Sequence, residues 1–496
     1  MTLRSIVLRS SCRLSRPFDV SVKHGRALAL FSDSAADVMC NGTLSPMTTT
    51  TTTTATTASK TNNDIDNSLL IHRPVPAPTY HHQLPVPRTK HEIAQLVQQR
   101  VQERDAWLVD GQPQENHSNL KEGIHFMGHV LPKFLQFTPP SQSWLDEHFP
   151  VLPVNWQQVR NPPQNKIQMT WLGHSSLLIQ VNGCTVVTDP VFSQRCAPTQ
   201  WNGPKRARQP PCTVAELIQQ LHHDNDGSSS TTSTTMMIDA VLISHNHYDH
   251  LDKTTVREIH RRSPATTFVV PLGLRSWCHR VISKQVVVHE LDWNEYVDYR
   301  YNSPVTTTAA NSAAAAAAAV DDDDAANNNN RRQAIRITSV PMRHWSSRVG
   351  ADKDKTLWCG YSLATHPVEN NDNDCSPKKS VQQQQQKKIL FPGDTAWFDG
   401  LDELVGQRYG PFDVAAIPIG AYEPREFMKR NHVDVDEAVR MKDAVQARAA
   451  VPIHWGTFPL TVEPWLEPKE NLEKLMSTRH DAGSFDPWLI GETKVF

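Results

Sequence analysis

The sequence predicts an α/β or α+β layered domain over residues 161–496. Three observations carry that prediction. Short apolar runs recur from Lys166 onward with turn residues between them. Asn182-Gly183 separates two of these runs, a strong signal for a tight β-hairpin. Helical spacings interleave with the runs, which indicates sheets layered with helices.

The elements follow in chain order. Residues Leu84 to Lys90 contain Pro85 and Pro87 and read as extended. His91 to Asp105 has helical spacing at Ile93, Leu96, Val97 and Val101, and is expected to pack on the main domain or to precede it. Ile167 to Leu172, Leu177 to Val181 and Cys184 to Val187 read as strands. Further strands are expected at 238–243, 268–270, 286–288, 335–340, 389–391, 414–419 and 449–453. Helices are expected at 254–262, 435–447 and 470–476.

Low-complexity segments divide this pattern. The insertions 222–236, 303–332 and 366–388 hold runs of Ser, Thr, Ala, Asp, Asn and Gln. Such segments cannot bury enough apolar surface to offset the entropy of ordering them, so they read as disordered loops. Residues 76–160 form an N-terminal extension with a helix, and 1–75 a disordered N-terminal region. Within the latter, Arg4, Arg9, Arg13 and Arg16 all precede the first acidic residue, Asp19. An amphipathic, Arg- and Ser-rich start of this kind resembles a mitochondrial transit peptide; the alternative is a basic disordered tail.

Composition narrows the function. A formal net charge of −2 over 496 residues argues against a nucleic-acid binder. The eight cysteines form no CxxC pair, so neither a zinc ribbon nor a disulfide framework is indicated. No stretch approaches the roughly 18 apolar residues of a membrane span.

The chemistry is concentrated in Ser244-His245-Asn246-His247-Tyr248-Asp249-His250, directly after the apolar run Val241 to Ile243. His245 and His247 are two apart, so on an extended chain both imidazoles project to one side and reach one ion. Asp249 and His250 follow as the chain turns, and can hold a second ion nearby. Imidazole nitrogens with carboxylates suit zinc or a similar first-row metal. His344, Asp394 and His454 each follow an expected strand, and Asp394 sits after a glycine turn where a carboxylate can bridge two cations. Taken singly, each is compatible with a cap or a core histidine; together and in this order they indicate a metal site.

At this point the sequence resembles the metallo-β-lactamase superfamily and, within it, the N-acylphosphatidylethanolamine-hydrolysing phospholipase D family. The residues that carry the resemblance include Trp171 to His174 (WLGH), Thr188 to Pro190 (TDP), Leu242 to Asp252 (LISHNHYDHLD), Gly410 to Arg425 (GPFDVAAIPIGAYEPR), His432 to Asp434 (HVD) and Ile453 to Phe458 (IHWGTF). The resemblance implies a four-layer αβ/βα sandwich with a dinuclear site at one edge. It implies two zinc ions per chain, one held by His245, His247 and His344, the other by Asp249, His250 and His454, with Asp394 bridging. It implies substrate contacts from Tyr248 and His432; the alternatives are a packing aromatic and a capping or surface histidine. Asp189 of the TDP turn is expected to support a ligand histidine from behind.

The implied reaction is hydrolysis of N-acylphosphatidylethanolamine to N-acylethanolamine and phosphatidic acid. Water acidified by the two zinc ions would attack phosphorus. Asp249 and Asp394 would act beside it as catalytic ligands, and His432 would stabilise the growing charge. A phospholipid substrate implies peripheral membrane contact, at mitochondria if the N-terminus is a transit peptide and otherwise at a cytoplasmic membrane surface. A homodimer is compatible with the family. Two other readings stay open: a lactonase or phosphodiesterase acting on a small soluble substrate, since fold does not decide substrate, and a non-catalytic metal-binding scaffold.

Overall fold

The computed structural model describes residues 88–112, 138–222, 236–302, 332–349, 351–367 and 386–496. The expected disordered region 1–75 lies outside the described residues, as do 223–235, 303–331 and 368–385, which make up most of the three expected insertions.

Helix α1 (Lys90–Ala106) comes first, then the short helices α2 (Gln142–His148) and α3 (Trp156–Arg160). The antiparallel strands β1 (Ile167–Gly173), β2 (Ser176–Val181) and β3 (Cys184–Thr188) follow. Next come α4 (Val214–Leu221), β4 (Ala240–Leu242), α5 (Lys253–Arg262), β5 (Thr267–Pro271), α6 (Arg275–Val281) and β6 (Val288–Leu291). The second half holds β7 (Tyr296–Asn302), β8 (Arg332–Val340), β9 (Gly360–Pro367), β10 (Lys388–Phe391), a π-helical turn (Asp402–Gln407) and β11 (Phe412–Pro418). It closes with α7 (Arg425–Met428), α8 (Val435–Ala444), β12 (Ala447–Ile453), α9 (Glu467–Ser477) and β13 (Thr493–Val495).

The strands form two sheets, in the orders β13-β1-β2-β3-β4-β5-β6 and β12-β11-β10-β9-β8-β7. Strands covered on both faces read as continuous apolar runs, and the side-chain period of two assigns each residue to a face. Val186, Ala240, Leu242 and Val269 point into the core shared by the two sheets. Their neighbours Val187, Val241, Phe268 and Val270 point the other way, onto Leu217, Ile218, Val256 and Ile259 of α4 and α5. On the far side, Val435, Ala438 and Met441 of α8 close the second sheet. Helix, sheet, sheet and helix make the four-layer αβ/βα sandwich. The Asn182-Gly183 turn joins β2 to β3 with Val181 opposite Cys184 and positive φ at both central residues, 50° and 89°.

Some expectations shift. The strand placed at 286–288 lies at Val288–Leu291, because Val287 is exposed while Glu290 and Leu291 turn inward. The run at 238–243 shortens to three paired residues. Strands β7 and β9 carry few consecutive apolar residues and had no expectation. In β9 only Tyr361 and Leu363 face the shared core, with serine, alanine and threonine between and after them.

Helix α1 is part of this architecture. A capping box starts it: the Glu92 N–H donates to Thr89 Oγ1 at 3.2 Å, and the Thr89 N–H donates to the Glu92 carboxylate at 2.6 Å. Val97 lies in the core shared by the sheets, and Trp107 stacks on Phe398 and Trp293 with ring centroids 4.3 and 5.4 Å away. Arg100 donates to both oxygens of the buried Asp292 at 2.9 and 2.8 Å. Arg100→Ala leaves that carboxylate desolvated without its partner, and is expected to lower unfolding free energy by about 2–3 kcal/mol in urea titration. An unchanged midpoint would show that α1 is not coupled to the sandwich.

Candidate metal centre

Four strands deliver the candidate residues to one edge of the sandwich. β4 runs into Ser244–His250, β8 into His344, β10 into Asp394 and β12 into His454. Strand ends are stiff attachment points, so side chains distant in sequence are held in fixed relation.

All seven expected ligand residues come together. In one cluster His247 Nδ1 lies 2.8 Å from His245 Nε2 and 3.3 Å from His344 Nε2. In the other, Asp249 Oδ2 lies 3.3 Å from both His250 Nε2 and His454 Nε2. Asp394 Oδ2 stands between them, 3.0 Å from His250, 3.1 Å from His454, 3.7 Å from His344 and 3.8 Å from His245. Ligands about 2.1 Å from one ion lie roughly 3–4 Å apart, so these separations fit metal coordination. His247 Nε2, His250 Nε2, His454 Nε2 and Asp394 Oδ1 are buried without a hydrogen-bond partner. Buried polar atoms are rarely left so, and a cation at each cluster would satisfy those facing it.

The histidine faces turned away from the clusters are fixed in turn. His250 Nδ1 donates to Asp189 Oδ2 at 2.7 Å, and His344 Nδ1 donates to the Asn431 carbonyl at 2.9 Å. His245 Nδ1 lies 2.9 Å from Ser244 Oγ, whose hydroxyl donates to Asp189 Oδ2 at 2.5 Å. With each Nδ1 so engaged, Nε2 keeps its lone pair for a metal. Asp189 also accepts the Ser244 N–H at 2.7 Å, as expected of a support for the site.

The backbone bends sharply to make these approaches. His174, Asp189 and His454 have φ of 53°, 32° and 63°, a region non-glycine residues seldom occupy and one found at functional sites. Gly393 has φ 63°, and a Cβ there would lie 2.5 Å from the Ser244 Cβ. Glycine lets the turn carrying Asp394 close onto the strand end carrying His245.

Burial and charge split the protonation of the metal-free clusters. Burial, reinforced by neighbouring histidines, holds His245 well below its ordinary pKa; burial lowers His247 to about 3 and His344 to about 4. Burial opposes charge on His250 and His454 too, but Asp394 and Asp249 outweigh it. His250 rises well above its ordinary value and His454 rises to about 9.

Tyr248 is half-buried against Val191, Cys196 and Phe458, with the Arg348 guanidinium 4.0 Å over its ring. His432 is buried, its ring centroid 5.2 Å from His344 and 5.1 Å from His454, and its Nδ1 has no partner. Burial keeps this imidazole neutral, well below its ordinary pKa.

Two residues with a place here had no role from sequence. His174 Nε2 donates to Asp249 Oδ2 at 3.0 Å. Its signals are a histidine after glycine at the end of a strand and its place in the WLGH motif, neither of which assigns it a role. Arg348 has no sequence signal at all.

Two models described as a beta-lactamase superfamily domain match residues 168–356 and 379–455. Fold and site together define a metal-dependent hydrolase of that superfamily. The chain is 32% identical over 347 residues to N-acyl-phosphatidylethanolamine-hydrolyzing phospholipase D 1 of Caenorhabditis elegans, covering 69% of this chain and 78% of that one. An uncharacterized protein of Mycobacterium tuberculosis is 30% identical over 338 residues, 66% of this chain and 69% of its own. The mitochondrial N-acyl-phosphatidylethanolamine-hydrolyzing phospholipase D of Saccharomyces cerevisiae is 28% identical over 313 residues, 62% of this chain and 51% of its own. The chain belongs to the N-acylphosphatidylethanolamine-hydrolysing phospholipase D family.

Two outcomes follow from the geometry. Asp189→Asn replaces an acceptor of three hydrogen bonds and should weaken metal binding about 10–100-fold in chelator competition. The raised pKa of His454, about 9, means that a proton competes with metal there until pH passes that value. Metal affinity at the Asp249–His250–His454 cluster should therefore fall as pH drops from 9 to 6. Calorimetry in buffers of different ionisation enthalpy should record proton release; pH-independent binding at both clusters would contradict the split.

Proposed function

We propose that the chain is a zinc-dependent phospholipase D that hydrolyses N-acylphosphatidylethanolamine to N-acylethanolamine and phosphatidic acid. The observation that carries the reading is the sharing of Asp394 Oδ2 between two buried histidine clusters, in a chain whose relatives are named for this reaction. The donor set of imidazoles and carboxylates suits zinc. When bound, two such ions supply a water acidified to react near neutral pH and neutralise charge on a phosphoryl oxygen.

The chain's own groups do the rest. Asp394 spans both clusters and sets their separation. His174 holds Asp249 Oδ2 in place by a hydrogen bond of 3.0 Å. His432, neutral and beside the clusters, carries a ring N–H suited to a phosphoryl oxygen in the transition state or to the departing alkoxide. Tyr248, held under Arg348, lines the approach. Water adds to phosphorus, the bond from phosphorus to the ethanolamine oxygen breaks, and that oxygen leaves with a proton. The substrate places the enzyme at a membrane surface. Mitochondrial residence is supported by the Arg- and Ser-rich segment 1–16 and by the yeast relative, which is named as mitochondrial. Among the described residues no helix is long and apolar enough to cross a membrane.

The test is product release from N-acylphosphatidylethanolamine in mixed micelles, with a soluble phosphodiester in parallel. Wild type should release N-acylethanolamine, and Asp394→Asn and His247→Ala should lose at least about a hundredfold in kcat. His432→Ala should lose about a hundredfold in kcat with zinc content unchanged. Turnover of the soluble ester alone would overturn the lipid assignment and leave the site standing.

A further inference from the structure

Trp201 is 92% exposed, and Val349 is 70% exposed. A solvated indole on a rigid loop needs an explanation, because Trp is far more often packed. The loop from Arg195 to Lys205 is braced at its base. Arg195 and Lys205 form a β-bridge, and the Cys196 N–H donates to the Pro204 carbonyl at 3.2 Å. The Arg195 N–H donates to Gln200 Oε1 at 3.0 Å, and Gln200 Nε2 returns a bond to the Arg195 carbonyl at 2.9 Å. Gly203, at φ 97°, lets the returning chain pass Ala197 where a Cβ would meet its methyl at 2.6 Å. This bracing holds Trp201 out in water.

The loop stands beside the metal centre. Its Cys196 packs in one cluster with Tyr248 and Phe458. Val349 is next in the chain to Arg348, whose guanidinium lies 4.0 Å over the Tyr248 ring. Asp352 Oδ1 accepts the N–H groups of Arg348 and Val349 at 2.8 and 2.9 Å and fixes that turn too. Two hydrogen-bonded segments, each with one residue against Tyr248, thus each present an exposed apolar side chain.

Charge identifies what they meet. No acidic residue occurs from Pro190 to Ala215. Lys205 is exposed and Arg195 half-exposed, and neither is paired with a carboxylate among the described residues. Indole rings settle at the boundary between headgroups and acyl chains, and nearby cations attract anionic headgroups. We propose that the Arg195–Lys205 loop, with Trp201 at its tip, docks the protein together with Val349 onto a phospholipid surface bearing anionic headgroups. This rests on the lipid-substrate reading, and would bring Tyr248 and the metal centre up to the bilayer.

The experiment is sedimentation of the full chain with phosphatidylcholine vesicles, with and without phosphatidylserine. Wild type should bind the anionic vesicles, and W201A should bind about tenfold more weakly. K205E should weaken binding most at low salt. W201A should keep its melting temperature, metal content and turnover of a soluble phosphodiester. Unchanged vesicle binding by W201A overturns the proposal, as does failure of wild type to bind. A shift of W201A from dimer to monomer without loss of vesicle binding overturns it as well, by assigning Trp201 to a contact between copies. Loss of vesicle binding in W201A, in a protein whose wild type releases no N-acylethanolamine, supports the docking surface and rejects the substrate.

Discussion

One carboxylate oxygen organises this molecule. Asp394 Oδ2 lies within 3.0–3.8 Å of four histidine nitrogens drawn from three other strand ends. Such a cluster, buried and without cations, is costly. Each imidazole must lose its hydration, and protons cannot satisfy all the nitrogens, because neighbouring histidinium charges repel. The metal-free clusters therefore divide: three rings stay neutral and two hold protons against the carboxylates. Cations held at the clusters would resolve the conflict, with Asp394 placed to be the shared counter-charge.

Holding donors from β4, β8, β10 and β12 at that separation demands a stiff frame, and the sandwich supplies it. Four strands end at the same edge, each anchored by apolar side chains in a close-packed core. The turns after β12 and β10 are strained or glycine-dependent at His454 and Gly393, and Asp189 after β3 is strained too and bonded to Ser244 and His250. Helix α1 adds a brace from outside. Arg104 donates to the His344 carbonyl at 3.0 Å, and Arg343 donates to the carbonyls of Arg104 and Trp107 at 3.2 and 2.8 Å.

How much of this could be read in the sequence depended on how local the signal was. The strands buried on both faces were legible because burial forces runs such as Thr185 to Thr188 to be apolar or β-branched throughout. The candidate ligand residues were legible because each follows such a run. Strands β7 and β9 were not, since each supplies the shared core with only alternate residues and leaves no run. His174 was not assigned a role, because its work is a hydrogen bond to Asp249, 75 positions later. Arg348 and the contacts of α1 were hidden for the same reason: a cation–π contact or an arginine on a distant carbonyl leaves no periodicity.

The insertions show how the two ends of the sandwich differ. Asn302 and Arg332 are paired at the open end of the β7–β8 hairpin, and the 303–331 segment joins them there. Ala364 pairs with Lys388 at the start of β10, and 368–385 joins the same end. Residues 223–235 lie in the chain between α4 and β4. All three attach where β4, β8 and β10 begin, opposite the edge where those strands deliver His245, His344 and Asp394. Their attachment points thus lie at the end away from the site. Closure entropy grows only slowly with loop length, so long segments cost little where nothing must be positioned. At the site edge the requirement is the reverse. The segments carrying Val349 and Trp201 are cross-braced by hydrogen bonds, as suits groups that must be held in place beside a site.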